Sequence, residues 1–182
     1  MTVMVGLLRG VNVGGSGRVT MADLRAAAIA CGYTDIATYG QSGNIVFRAT
    51  DQSPATAADA LRSAIAGTTT VRPDVVVRTP TDLHAVISAS PFTGPGVDPL
   101  QLHVLFLPDH VPGSLGGIDL PRFAPEQAAA IGREVHLYLP GGTGRSRLAA
   151  TVHKHTMAAG TQRNWRTVTA VAALADHVNG AT

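Results

Sequence analysis

Apolar and polar positions follow a regular succession along roughly the first eighty residues. The run Thr2–Leu8 is continuously apolar, which is typical of a strand buried on both faces. Later short runs of β-branched and aromatic residues predict further strands, and longer segments with helical spacing of apolar residues predict helices. The predicted strands are Thr2–Leu8, Asp35–Tyr39, Asn44–Arg48 and Asp74–Arg78, and the predicted helices are Met21–Cys31 and Pro54–Ala66.

Boundary residues support both helices. Thr20 is followed three positions later by Asp23, as in a capping box, and Gly32 suits the end of the same helix. Ser53 precedes Pro54, a favourable residue at the first helical position. The resulting β-α-β-β-α-β order is that of the ferredoxin-like unit.

The second half predicts a variation on the same unit. No low-complexity linker separates the halves, so we expect two small α+β subdomains, residues 1–80 and 81–182, packed closely as one compact unit. Glu134–Leu139 alternates, with Val135, Leu137 and Leu139 on one face and His136 and Tyr138 on the other. The other predicted elements are a strand over Gln101–Leu107 and helices over Thr81–Ser90, Pro125–Ile131, Ser146–Ala159 and Asn164–Val178.

The apolar stripes of these elements predict the core. Cys31 falls on such a stripe, so it is interpreted as a core residue and not as a nucleophile. The residues expected to be largely buried are Leu24, Cys31, Val46, Leu105, Val135, Leu137, Val152 and Trp165.

Composition narrows the class of protein without indicating a function. Of 182 residues, 45% are hydrophobic, which is typical of a globular chain and excludes a disordered one. Only 14% are charged, against about 25% in a typical domain. A single cysteine excludes an intramolecular disulfide and any multi-cysteine metal site. The net charge of +2 is small for a nucleic-acid-binding domain.

The sequence also predicts a location and the absence of a metal. No stretch approaches the roughly 18 apolar residues of a membrane span, and the start lacks a secretory leader pattern, so we expect a cytoplasmic protein. His153 and His155 lie two positions apart on a predicted helix and therefore point in different directions. We predict no metal site and no cofactor.

Two glycine-rich turns, each between a strand and a helix, are the first candidate sites. Glycines let backbone N–H groups turn inward, and a helix N-terminus favours an anion. Both turns contain the pattern Gly-Gly-Ser/Thr-Gly-Arg, which indicates either a duplication with two anion sites or a coincidence. An exposed turn without a ligand remains an alternative for the first. The candidate binding residues are Arg9, Asn12, Gly14, Gly15 and Arg18 in the first turn, and Gly144, Arg145 and Ser146 in the second.

Two further polar segments are candidates. Arg163, Asn164 and Trp165 lie at the start of the last predicted helix. Either Arg163 and Asn164 bind a polar ligand while Trp165 stacks on a base or ring, or Asn164 is only the helix cap and Trp165 a core residue. Gln41, Ser42 and Asn44 lie in the predicted hairpin turn, where they bind a ligand or only satisfy the turn.

At these same segments the chain resembles the bacterial family called domain of unknown function 1697. The resemblance implies two intertwined ferredoxin-like subdomains, and it brings no activity, cofactor or catalytic residue. The family typically has Lys and Asn where this chain has Ser16 and Gly17, and Asn is common where it has Arg166. The motifs that carry the resemblance are Leu7-Leu8-Arg9-Gly10-Val11-Asn12-Val13-Gly14-Gly15, Met21-Ala22-Asp23-Leu24, Tyr39-Gly40-Gln41-Ser42-Gly43-Asn44-Ile45-Val46-Phe47, Pro91-Phe92, Gly144-Arg145-Ser146-Arg147-Leu148 and Arg163-Asn164-Trp165-Arg166-Thr167-Val168.

Two functions follow as hypotheses. The first is binding of a phosphate-bearing ligand, a nucleotide or nucleic acid, through the glycine-rich turns and their arginines. The second is a small-molecule enzyme with a polar cleft built from the same motifs. Because Asp23 is the only acidic residue in these motifs and is assigned to helix capping, no catalytic residue is assigned.

Overall fold

The computed structural model describes residues 1–12, 18–50, 52–108, 115–156 and 160–180, which form two units. The first unit comprises residues 1–84 and 170–182, and the second comprises residues 85–169. Within the described ranges the protein is a mixed α/β chain with two four-stranded antiparallel sheets and five α-helices.

The first unit has the predicted β-α-β-β-α-β order. Its sheet has the strand order β2-β3-β1-β4, and all three pairings are antiparallel. The central strand β1 is buried from Val3 to Leu8, as its continuous apolar run predicted. The elements are β1 Thr2–Leu8, α1 Met21–Ala30, β2 Thr34–Tyr39, β3 Asn44–Ala49, α2 Pro54–Thr68 and β4 Val75–Arg78.

The predicted helix caps are confirmed. Thr20 and Asp23 form a complete capping box at α1, and the Ser53 side chain accepts a hydrogen bond from Thr56 N at α2. Each cap satisfies backbone donors that a helix cannot pair internally, which typically stabilises a helix by about 1 kcal/mol.

The second unit contains the second sheet, with the strand order β6-β7-β5-β8. The helix predicted over Pro125–Ile131 is wrong, because most of that segment is the strand β6, paired with β7 across a turn at Gly132. The strand β8 was not predicted. The strands and the helix that lie wholly in this unit are β5 Leu102–Phe106, β6 Gln127–Ile131, β7 Glu134–Tyr138, α4 Arg147–His155 and β8 Thr161–Asn164. The helices α3 Pro80–Ala89 and α5 Trp165–Gly180 each contain residues of both units.

Six of the eight predicted core residues are buried, and two are half-buried. Leu137, in β7, is only 1% exposed and packs among the apolar residues between its sheet and α4. Cys31 caps the C-terminus of α1 and touches the first core cluster only at its edge. Trp165 is the first residue of α5 and is also half-buried.

Both sheets contain buried polar side chains that the alternation pattern placed at the surface or left unassigned. His136 is 2% exposed, although it lies on the opposite face of β7 from Leu137. Arg78, at the end of β4, is 1% exposed, and its guanidinium donates to Val77 O at 3.0 Å.

None of the helices in the described ranges is long and apolar enough to cross a bilayer.

Candidate functional site

The turn between β7 and α4 is held firmly at both ends. On the β7 side, Leu139 N donates to Gln101 O at 2.8 Å. Gly142 has a φ of 77°, a left-handed conformation that glycine adopts without strain. A single 3-10 turn, Thr143–Arg145, then leads into α4, where Ser146 is the N-cap and accepts from Ala149 N at 2.9 Å. Ser146, predicted to begin this helix and to bind a ligand, is therefore the N-cap of α4.

An open pocket of about 400 Å³ lies beside this turn. One side comes from the turn, with Arg145 and Arg147, and the other from the segment that precedes β6, with Arg122 and Glu126. The lining is completed by Phe123, Ala124, Pro125, Pro140 and Gly141. We call this cavity the arginine pocket.

Glu126 occupies the N-terminus of α4. Its Oε2 atom accepts a hydrogen bond from Leu148 N at 3.1 Å, so a carboxylate already sits at the positive end of the helix. Together with the Ser146 cap, it engages two of the backbone donors that a helix start leaves unpaired. A ligand in the pocket would therefore meet the arginines more readily than the helix end.

The three arginines of the pocket have no built-in partner among the residues that the structure describes. Arg122, Arg145 and Arg147 are exposed, and their guanidinium groups form no hydrogen bond or ion pair there. Glu126 is turned to the backbone of α4 instead of pairing with them. Three cationic side chains therefore line one concavity with a single acidic group.

A chain of polar side chains holds the other side of the same turn. His103 Nε2 lies 2.8 Å from Thr143 Oγ1, and Gln162 Nε2 donates to that oxygen at 3.3 Å. Gln162 Oε1 in turn lies 3.0 Å from His153 Nε2. If His153 Nε2 donates to the Gln162 amide oxygen, the Gln162 amide nitrogen can donate to Thr143 Oγ1. The Thr143 hydroxyl can then donate its own proton to His103 Nε2.

Burial favours the neutral form of His103, and its Nε2 atom is an acceptor in the tautomer that carries the proton on Nδ1. Desolvation lowers the pKa of its imidazole, and Nδ1 is buried without a partner within the described ranges. A neutral imidazole at 2.8 Å from a hydroxyl has the geometry of a general base beside a potential nucleophile. Thr143 does not line the arginine pocket, so the two features are separate.

Of the predicted residues in the second unit, the structure brings Arg145 to the pocket, with Gly144 and Ser146 in the adjacent turn. Arg163 does not join them. It follows Gln162 in β8, so the two side chains leave opposite faces of the strand, and Gln162 is the one that reaches the turn.

Arg163 is engaged within its own strand. It is 8% exposed, and its Nη1 donates to Thr161 Oγ1 at 2.6 Å and to Gln162 O at 2.9 Å. Burial lowers the pKa of its guanidinium to about 10. Asn164 caps α5 by accepting from Thr167 N at 2.8 Å, as the structural alternative predicted, and Trp165 follows it.

The predicted residues of the first unit have mostly structural partners. Asn12 Nδ2 donates to Val19 O at 2.7 Å and to Gln41 O at 2.8 Å, while its Oδ1 accepts from Val19 N at 3.1 Å. The amide group is therefore fully engaged in tying the first loop to the hairpin.

The other predicted residues of this unit fall into three groups. Arg9 pairs with Asp74 at 3.4 Å, and the buried Asn44 donates to Tyr39 O at 2.9 Å. Arg18, Gln41 and Ser42 are exposed. Gly14 and Gly15 lie outside the described residues. Most of the first of the two similar glycine-rich turns therefore also lies outside them.

Sequence reasoning missed Arg122, Glu126 and His103. No continuous motif contains them together with Arg145, since they lie on separate segments of the chain. Among the described side chains, no group of three or more His, Cys, Asp and Glu residues is placed to hold a metal ion.

Comparison with known proteins identifies the family. The family described as "Protein of unknown function (DUF1697)" matches residues 1–136. This chain belongs to the DUF1697 family. A similar solved structure is that of the conserved bacterial protein SP0830 from Streptococcus pneumoniae, with 20% sequence identity and a TM-score of 0.68. The similarity covers 96% of this chain and 98% of that one, and at this identity it shows the fold alone. No curated protein matches the chain.

Proposed function

We propose that this DUF1697 protein binds a phosphate-bearing ligand in the arginine pocket. The observation that carries the proposal is the convergence of Arg122, Arg145 and Arg147 on one pocket of about 400 Å³, without partners in the described part of the chain. Pockets of this size accommodate small molecules.

Arginine chemistry suits a phosphate ligand. A planar guanidinium presents paired N–H donors that match two phosphate oxygens, and such charge-assisted hydrogen bonds are about twice as strong as neutral ones. Arginines that are not committed to internal carboxylates remain available for this role. The turn that bears Arg145 is anchored by Leu139, Thr143 and Ser146, so that arginine is supported by an ordered backbone.

Calorimetric titration with adenosine monophosphate and with inorganic phosphate tests the proposal. We expect saturable binding that falls at least about tenfold in Arg145→Ala, since one charge-assisted hydrogen bond contributes about 1.5–3 kcal/mol. Arg145→Lys should also weaken binding, because lysine keeps the charge but loses the paired donors. Arg166→Ala is the matched control, since it removes an exposed arginine of the same unit that does not line the pocket.

The proposal fails if the wild-type protein binds neither anion at millimolar concentration. It also fails if Arg145→Ala and Arg166→Ala weaken binding equally, since that result would indicate a general charge effect. A nucleic-acid ligand is distinguished by a steep loss of affinity with salt, because phosphate contacts release counterions.

The second candidate function is a small-molecule enzyme, and the contact between His103 and Thr143 favours it. A neutral imidazole 2.8 Å from an exposed hydroxyl is placed to remove the hydroxyl proton. Thr143→Val preserves shape and removes the hydroxyl. If the protein hydrolyses p-nitrophenyl phosphate, that variant should lose turnover under this hypothesis and retain it if Thr143 only anchors the turn.

We also propose that both units are ferredoxin-like and intertwined, and that the protein acts in the cytoplasm. The strand orders β2-β3-β1-β4 and β6-β7-β5-β8 support the first point, since the first, second, third and fourth strands take equivalent places in both sheets. The division of the chain supports intertwining, because residues 170–182 belong to the first unit. The lone thiol, Cys31, is consistent with a reducing compartment.

A further inference from the structure

Glu126 selects among the phosphate-bearing ligands of the arginine pocket: we infer that the pocket takes a phosphomonoester bearing a hydrogen-bond donor, as in a nucleoside monophosphate, and disfavours polyphosphates. This inference rests on the proposed function and assigns its ligand class. It is carried by the position of the one carboxylate among three arginines.

The formal charges of the lining match one phosphate group. Arg122, Arg145 and Arg147 contribute three positive charges and Glu126 one negative charge, which leaves two positive charges. A phosphomonoester carries about −1.5 to −2 at neutral pH, so it balances this excess. A second phosphate group would exceed it and would also approach the Glu126 carboxylate.

The hydrogen bonds of Glu126 define what that carboxylate can accept. The Oε2 atom of Glu126 accepts a hydrogen bond from Leu148 N at 3.1 Å, and the backbone N of Glu126 donates to Phe123 O at 3.0 Å. Both the side chain and the segment that carries it are therefore held in place. Oε1 forms no hydrogen bond within the described ranges. An ionised carboxylate only accepts hydrogen bonds, so the group that approaches Oε1 must be an N–H or O–H donor.

The remaining lining offers apolar contact. Phe123 is half-buried, and Pro125 and Pro140 add rigid apolar surface. The face of an aromatic side chain can stack on any planar ring of a ligand, whichever base or substituents that ring carries. The pocket therefore combines the three contacts that a nucleoside monophosphate offers: one phosphate, one ring and donor groups on the ring or sugar.

A matched pair of synthetic ligands isolates the donor. Phenyl phosphate and 4-aminophenyl phosphate share the anion and the ring and differ in one amino group. We expect calorimetry to show about tenfold tighter binding of the amino compound to the wild-type protein, the usual effect of one hydrogen bond to a charged group. Pyrophosphate should bind more weakly than either compound.

Glu126→Gln tests the residue itself. The amide oxygen can still accept from Leu148 N, so the start of α4 keeps its hydrogen bond while the negative charge is lost. We expect the preference for the amino compound to shrink to about twofold or less and pyrophosphate to bind about tenfold tighter than to the wild type. The melting temperature of the variant, measured alongside, reports whether it folds.

The two levels of the proposal fail separately. If the wild-type protein binds none of the three compounds, the arginine pocket is not a phosphate site. If it binds phenyl phosphate and 4-aminophenyl phosphate equally well, or prefers pyrophosphate, Glu126 does not select the ligand although the phosphate site stands. If Glu126→Gln does not fold, the relative affinities of the wild-type protein for phenyl phosphate, 4-aminophenyl phosphate and pyrophosphate decide the question by themselves.

Discussion

Acidification from about pH 7.5 to about pH 5 should reduce the stability of this protein by about 2 kcal/mol through one side chain, His136. The residue is 2% exposed in β7, and neither ring nitrogen has a hydrogen-bond partner in the described part of the chain. Its cross-strand neighbours, Val104 and Ala129, are apolar. Burial lowers the pKa of this imidazole from 6.5 to about 4, because the charged form loses its hydration.

The direction of this pH dependence follows from whether the folded or the unfolded protein protonates His136 at the higher pH. Above the unfolded pKa of 6.5 the imidazole is neutral in both states, so His136 adds no pH dependence. Between pH 6.5 and about pH 4 the His136 imidazole is protonated in the unfolded chain but neutral in the folded one, so the free energy of unfolding decreases as the pH is lowered. Below about 4 both states are protonated and the loss levels off. The linkage relation gives about 2 kcal/mol at pH 5.

Urea unfolding of the wild type and His136→Leu at several pH values measures this contribution. Leucine has a similar volume and no titratable atom, so the variant should lose about 2 kcal/mol less than the wild type over the same range. It should also be at least as stable at pH 7.5, because an unpaired buried polar group costs about 1–3 kcal/mol. Burial also lowers the pKa of His103. This histidine is present in both proteins, so its contribution to the pH dependence cancels when the two are compared.

The matched control is His177→Leu, which changes an exposed histidine, keeps the buried His136 and should therefore not reproduce the effect of His136→Leu. Equal pH slopes for the wild type and His136→Leu would refute the reasoning. An NMR titration in which the His136 ring protons shift near pH 6.5 would do the same, since it would show that water reaches the imidazole.

Four substitutions test the packing and the loop geometry by urea unfolding. Leu137→Ala should lower the free energy of unfolding by about 2–5 kcal/mol, because it leaves a cavity at a fully buried position, and a decrease below about 1 kcal/mol would contradict this. Asn12→Ala should cost about 2 kcal/mol, since it removes three hydrogen bonds at a φ of 59°; an unchanged midpoint would show that they contribute nothing. Gly43→Ala should cost about 2 kcal/mol or more, because its φ is 73° and a Cβ would lie 2.6 Å from Leu8 Cβ. Gly40→Ala, with a φ of 61° and open space, should cost only about 1 kcal/mol, and equal losses would exclude the clash.

The first unit was predicted from sequence because its signals are local. The Thr20 and Asp23 capping box, the Ser53 cap and the glycines of the hairpin each act within a few residues of the chain. The continuous apolar run of β1 needs burial on both faces, and this restricted its place to the middle of a sheet.

The errors in the second unit have a common physical cause in long-range pairing. Gln127–Ile131 contains three consecutive alanines, the best helix formers, yet pairing with β7 makes it a strand. The strand β8, Thr161–Asn164, has only polar residues and so lacks an apolar alternation. Its pairing with β5 provides hydrogen bonds that no local pattern indicates.

The arginine pocket could be predicted only in part for the same reason. Arg145 was found because it follows a glycine-rich turn that opens a helix, which is a continuous motif. Arg122 and Glu126 come from a segment about twenty residues earlier, and they meet Arg145 only because β6 folds back along β7. Arg163, a candidate binding residue on another segment, does not line this pocket, and the two-residue periodicity of β8 directs its side chain to the opposite face from Gln162.

The division of the chain has a consequence for its synthesis on the ribosome. The first unit is built from residues 1–84 and 170–182, so its last piece is made after the whole second unit. At about 5–20 residues per second, residues 85–169 take roughly 4–17 seconds to add. During that interval Arg48 lacks the acceptor Val178 O, and His84 lacks its partner Asp176. A chain that stops at residue 169 also lacks the buried residues Val171, Ala172 and Ala175, so only translation past this point completes the first unit.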